Sequence, residues 1–226
     1  YGGVNRSVIK FTLPLSWRSG EKWSDDTIYV TANSIVGKNT VDQIQYIVEH
    51  YTTLSVDAAS FAAVKTAVQY YPSNFVVKSS ESPIKLIQDI AYQARIGVQI
   101  DAGTVKLRYL SKVPTTDLTI TDDDIKLSSI TLGFPNPDDL LTEIEYQWRH
   151  NYYDDAETYI YRNNINLYGL KTGQIPMSIY NDKTLVTKSA DWIGNRRSNV
   201  WRKMKLKTML NALGLETSDC IAMQSD

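Results

Sequence analysis

Apolar positions recur at helical spacing in three consecutive segments between residues 40 and 94. Thr40, with Gln43 three residues on, forms a capping-box pattern that opens a first helix. Val41, Ile44, Ile47, Val48 and Tyr51 then fall on one face. Asp57 is placed to cap a second helix with the stripe Phe61, Val64, Val68 and Tyr71, ended by Pro72. Ser82-Pro83 opens a third, a cap followed by a proline at the first turn, where its missing N–H costs nothing. Ile84, Ile87, Ala91 and Ala94 make a narrow small-residue stripe, flanked by Leu86 and Ile90, that suits close packing on a sheet.

Elsewhere the period is two. Residues 7–13 read as a strand closed by Pro14, and residues 27–31 as a second after the polar turn 18–22. Ile96, Val98 and Ile100 alternate, Asp101-Ala102-Gly103 supplies a turn, and Val105, Leu107 and Tyr109 alternate again, with Lys106 and Arg108 on the opposite face. From Pro114 onward, strands are predicted at 117–121, 127–133, 141–149 and 157–162. A long helix is predicted over 182–201, with Leu185, Ser189, Trp192, Ile193 and Val200 near one face. A strand follows in which Met204, Leu206 and Thr208 oppose Lys203, Lys205 and Lys207, and residues 218–222 read as another. The pattern predicts an α+β protein, mostly antiparallel β, of two lobes. A helix-plus-hairpin lobe at 36–113 is inserted into a β-rich, small barrel-like lobe formed by 114–226 together with 1–35.

Composition narrows the function. Of 226 residues, 24 are Lys or Arg and 25 are Asp or Glu, so there is no overall basic excess of the kind a dedicated nucleic-acid binder carries. The net charge of -1 hides a split. Between 115 and 158 lie 11 acids against Lys126 and Arg149, and between 183 and 207 lie eight bases against Asp191. Such halves are able to meet within one chain or between subunits. A single cysteine excludes a disulfide framework, and no apolar run is long enough to span a membrane. Residue 1 is a tyrosine, which reads as the start of an internal piece of a longer chain. The 15 tyrosines suit a β-rich protein or an interaction surface.

Candidate chemistry is sparse. There is no nucleophile elbow, phosphate-cradling loop or paired-histidine zinc motif. Asp122-Asp123-Asp124 lacks the glycine-containing alternation of a calcium loop and reads as a turn. Glu143 and Glu145 share a strand face, as a glycosidase pair would, but match an ordinary solvated face better. His50 and His150 stand in unrelated segments, and His150 reads as a surface residue at a strand end. Cys220 reads as a buried, inert thiol, and Trp192 and Trp201 as core. The lysines at 203, 205 and 207 read as an anion contact or a charge-protected edge. No catalytic, cofactor-binding or metal residue is expected.

Four stretches carry a resemblance. They are Tyr71-Pro72-Ser73-Asn74-Phe75; the Ser82-Pro83-Ile84 helix leading to Gln93-Ala94-Arg95 and a hairpin ending Leu107-Arg108-Tyr109; Ile120-Thr121-Asp122-Asp123-Asp124-Ile125 with Leu127-Ser128-Ser129-Ile130, followed by a strand such as Leu141 to Trp148; and the helix near 183–202, then a strand, then the closing Leu213-Gly214-Leu215 to Asp219-Cys220-Ile221 segment. In this order, over roughly residues 36–223, the chain resembles the tail-tip and baseplate hub proteins of tailed phages and prophages. Ser218 stands where a glycine is common in that family, so a different final turn is expected. The resemblance implies a structural, non-enzymatic part of the virion tail, made in the bacterial host cytoplasm. It implies a homotrimeric ring docked to the tail tube or distal tail protein above and to fibre or spike proteins below. It brings no cofactor, membrane span or sequence-specific nucleic acid. A glycan-binding or cell-wall-hydrolysing module of a tail-associated protein is the alternative.

Overall fold

The computed structural model of the chain describes residues 36–77, 80–126, 128–134, 136–151 and 155–224. The strands expected at 7–13 and 27–31, and the contribution of 1–35 to a β-rich lobe, lie outside the described residues. Helix α1 spans Thr40–Tyr51, and its cap is Asn39, whose side chain accepts the Val41 N–H at 2.9 Å. This corrects the expected Thr40–Gln43 capping box. Thr40 is the first helical residue and fully buried, and its hydroxyl donates to Ser73 Oγ at 3.0 Å. Gln43 Nε2 donates to the carbonyl oxygens of Gly37 and Ser73. The pair thus pins the 72–77 segment to the helix instead of closing the helix's own first turn. Val41, Ile44 and Val48 are sealed, whereas Tyr51, the last helical residue, is exposed.

Asp57 caps α2 (Ala58–Ala67) by accepting the Ser60 N–H at 2.8 Å, and Pro83 begins α3 (Pro83–Gln93). The expected stripes are buried at Phe61, Val64 and Val68, and at Ile87, Ile90, Ala91 and Ala94. They cover a three-stranded sheet: β1 (Ser55–Val56) parallel to β3 (Thr104–Tyr109), with β2 (Ile96–Asp101) antiparallel on the other side of β3. The β2–β3 turn takes positive φ at both Ala102 and Gly103, the geometry that matches strand twist in a two-residue hairpin.

The rest of the chain supplies β4 (Leu118–Thr121), β5 (Thr131–Gly133), β6 (Glu143–Trp148), β7 (Glu157–Arg162), α4 (Ile165–Tyr168), β8 (Thr172–Pro176), α5 (Lys183–Arg197), β9 (Lys203–Lys205) and β10 (Ile221–Gln224). β6 lies between antiparallel β7 and parallel β8; β4 pairs with β10 in parallel, and β5 with β9 antiparallel. The protein is α+β. Helix α5 ends earlier than its pattern suggests, at Arg197, because the buried Ser198 is held by Asn163 and Asn164. Val200 therefore lies beyond the helix, and Val186 and Ala190 complete the buried face with Ser189, Trp192 and Ile193.

One apolar core joins the three-helix segment to the β6 sheet and α5, running from Val41 through Ile96 and Tyr146 to Ile193. Its joint is Gln93-Ala94-Arg95. Gln93 Oε1 accepts the Ile179 N–H at 3.2 Å, its Nε2 donates to Ser178 Oγ at 3.3 Å, and its carbonyl accepts the Ser189 hydroxyl. Arg95 takes a left-handed backbone conformation, donates to the Leu110 carbonyl at 3.3 Å, and lays its guanidinium over Tyr109 and Trp192. Ala94, buried between them, leaves the backbone room to approach.

Three tyrosines in this region resist ionisation. Burial raises the Tyr146 and Tyr180 phenols above 10.0, and burial with the hydrogen bond to Asp191 pushes Tyr159 up to about 12. A raised phenol pKa means that the unfolded chain ionises first. The stability is fully present below 10.0 and is lost as pH rises toward the folded value. We expect a cooperative unfolding step between about 10 and 12, followed by circular dichroism and tyrosinate absorbance. Ionisation of all tyrosines near 10 without unfolding would contradict this packing.

Candidate interaction surface

Among the described residues, the β5–β9 ribbon carries a contiguous exposed apolar face. Leu132 stands opposite Met204, so both side chains share one face. Leu132 is 58% exposed, Met204 42%, and Phe134, two residues beyond Leu132, 64%. Ile130, two residues before it, is also exposed. Thr131 pairs with Lys205 and Gly133 with Lys203, which places both lysines on the other face. Arg202, Lys207 and Lys126 are exposed nearby, and residues 125–134 and 202–209 contain no acid. Among the described residues none of these five cations takes part in an ion pair. The ribbon is thus amphipathic, apolar on one side and cationic on the other, with the apolar side in water.

The lysine stripe was legible in the sequence; the ribbon was narrower than expected. Leu127 lies outside the described residues, and the expected strand 127–133 is regular only over Thr131–Gly133. Ser128 takes positive φ and Ser129 turns back onto the Lys126 carbonyl, which interrupts pairing between the Ile125–Thr208 bridge and β5. Trp201, expected in the core with Trp192, is 52% exposed beside the ribbon, and its indole N–H donates to the Arg196 carbonyl at 2.9 Å. It follows the end of α5, whereas Trp192 lies on the buried face, with the guanidinium groups of both Arg95 and Arg196 over its ring.

A second surface is fully committed within the chain. Lys106 and Arg108, on the outer face of the hairpin, reach segment 216–219: Lys106 pairs with Glu216, and Arg108 with both Asp117 and Asp219. They line a cleft of about 290 Å³ with Asp57, Ser60, Gly97 and Ser218. The Cys220 N–H donates to Asp117 at 2.8 Å, and this bond, reinforced by Arg108, holds the Asp117 carboxyl below its ordinary 3.8. A depressed carboxyl pKa adds stability that is fully present above 3.8 and is lost as pH falls through the folded value. Amide exchange over 213–224 is therefore expected to quicken in acid before that of α1–α3. The substitution Arg108→Ala is expected to quicken it at neutral pH on the order of tenfold. Equal protection in the variant would show that the seam does not hold the segment.

The other nominated residues are dispersed. Asp122–Asp124 form a single 3-10 turn in which Asp124 accepts from the Thr121 N–H and hydroxyl and from Asn211. The Thr121 N–H, first of these, holds the Asp124 carboxyl below its ordinary value. Glu143 accepts from Arg162 Nε on β7, and Glu145 from Gln174 Nε2 on β8 at 2.8 Å. His50 Nδ1 lies 2.9 Å from the Tyr46 carbonyl with its ring stacked on Tyr46, and His150 Nδ1 lies 3.1 Å from the Asn181 carbonyl. Cys220, expected to be buried within a strand at 218–222, is only half-buried and lies just before β10, which starts at Ile221. Among the described residues no three His, Cys, Asp or Glu side chains group as metal ligands, and no helix is long and apolar enough to cross a membrane. Comparison with family models and with curated proteins finds no match to the chain.

Proposed function

We propose that the chain is a structural subunit of the tail tip or baseplate hub of a phage or prophage. On this reading it assembles with copies of itself as a ring, a homotrimer in the full-length protein, at the distal end of the tail tube. The tube or distal tail protein docks above, and fibre or spike proteins below. The protein works as part of the virion tail after synthesis in the host cytoplasm, and no residue is assigned a catalytic role.

The observation that carries the reading is the ribbon. Contiguous exposed apolar side chains flanked by charge mark contact surfaces on soluble proteins. Five cations there, and Asp122, Asp123, Asp139, Asp155 and Glu157 elsewhere, are exposed and in no ion pair among the described residues. Opposite charges left over on one molecule favour a head-to-tail contact, which closes into a ring when the rotation allows. The four motifs that resemble hub proteins point the same way. Native mass spectrometry of the full-length protein is expected to give a closed trimer with contacts above about 1,000 Å². A monomer at every accessible concentration would sink the proposal.

A further inference from the structure

We infer that the groove between α3 and the open edge of β2 receives the β5 strand of a second copy of this chain. The inference rests on the assembly reading above and names the surfaces that would carry it.

The geometry begins with the ladder. Ser55 N–H donates to the Gly103 carbonyl and Asp57 N–H to the Val105 carbonyl, so the odd-numbered residues of β3 turn their backbone groups toward β1. In an antiparallel pair the even-numbered ones then serve β2, through Gly97, Gln99 and Asp101. The N–H and C=O groups of Ile96, Val98 and Ile100 are left pointing outward from the sheet. Order β1-β3-β2 makes β2 an edge strand, and no described strand pairs with that side. An unpaired edge of this kind is a template for an added strand.

Beside the edge runs an apolar groove of about 220 Å³, lined by Ile84, Ile87, Gln88, Val98, Ile100 and Val105. Ile100 is 45% exposed although it belongs to the hairpin's apolar face. An edge strand next to a helix-walled groove suits strand addition, in which backbone bonds supply affinity and alternate side chains enter the pocket. The chain itself carries a matching donor: Ile130, Leu132 and Phe134 stand at alternate positions, and all are exposed. Charge agrees. Glu81 and Asp89 stand in sequence beside the groove-lining residues of α3 against Lys85, and Asp101, next to Ile100, is already paired with Lys106, while the ribbon brings Lys126, Arg202, Lys203, Lys205 and Lys207 with no acid. Donor and acceptor lie on different surfaces of one chain, so the contact is heterologous and propagates around a ring.

The test uses the full-length protein with Cys220→Ser as background. A mixture of Ile100→Cys and Leu132→Cys variants is expected to form an intermolecular disulfide at least about tenfold faster than Ile100→Cys mixed with Tyr70→Cys, another exposed position. Ile100→Asp and, on the donor strand, Leu132→Asp are each expected to weaken self-association by at least about tenfold with unchanged melting temperature. Leu132→Asp alone decides the matter should Ile100→Asp fail to fold. Association that persists in Leu132→Asp, without the cross-link, overturns this inference and leaves the assembly reading standing. A cross-link from Ile100→Cys to a cysteine placed within residues 1–35 of the same chain also overturns it. Absence of any self-association in the parent protein overturns both.

Discussion

Replacing Arg95 with alanine should cost the fold about 3 kcal/mol, measured by chemical denaturation with an unchanged m-value. Arg95 is 5% exposed, and no carboxylate pairs with it among the described residues. Its charge is instead balanced by the faces of Tyr109 and Trp192, with the guanidinium carbon 5.0 and 5.3 Å from the ring centroids. Desolvated cation–π contacts reach about 2 kcal/mol each, and truncation also leaves a cavity between two large rings. Against this, removing a buried cation recovers part of its desolvation cost. The cavity and the lost ring contacts outweigh that recovery, because alanine keeps the strained left-handed backbone and fills none of the space. Arg95→Met, which fills the space without the charge, should recover about half of the loss. A loss under about 1 kcal/mol for Arg95→Ala would show that the joint between α3, the hairpin and α5 is held elsewhere.

Gly194→Ala should destabilise by about 2 kcal/mol, although alanine is the better helix former by nearly 1 kcal/mol. A Cβ at position 194 would stand 2.4 Å from Cδ1 of Tyr161 and 2.6 Å from Cγ, so the ring or the whole of α5 must move off β7. The glycine lies on the buried face of a 15-residue helix, where its flexibility is a cost offset by close approach to the sheet. The cause is separable: in a Tyr161→Ala background the same change should become neutral or stabilising. If it remains equally destabilising there, the close approach is not what selects glycine.

The helices were legible because their information is local. Periodic apolar residues, the Asp57 cap and Pro83 all act within one or two turns; the Asp57 cap and Pro83 do in the structure what the pattern suggests, whereas Tyr51 is exposed, Val200 lies beyond α5 and Ser82 precedes α3 without a side-chain cap bond. The hairpin was equally plain, since alternation and the Ala102-Gly103 turn are adjacent in sequence. What could not be read depends on distance. β1 and β8 pair in parallel with strands far along the chain, and β8, with Ile175 as its one large apolar residue besides Pro176, shows no alternation. Lys106 and Arg108 were placed on the right face, but Glu216 and Asp219 lie more than 100 positions away. Gln93-Ala94-Arg95 stands out in the sequence as a motif; its role as a joint follows from Ile179, Ser189 and Trp192, which no local rule connects to it. Ser218, where a glycine was expected by resemblance, takes a φ of 77°, the left-handed conformation that glycine adopts freely. The charge split also gained detail. Among the described residues the acidic tract meets its ion partners in Arg108, Arg162 and Lys171, none of them in the basic stretch 183–207.

The central claim, that the chain belongs to the distal end of a phage or prophage tail, is tested most directly on particles. Phage or tail particles purified after induction of the native locus would be analysed by quantitative mass spectrometry and labelled with antibody against this chain. The account predicts about three copies per tail, by the homotrimeric ring proposed above, with label confined to the tip distal from the head. Particles complete in tube and sheath proteins but lacking this chain, or label along the whole tail, would contradict it.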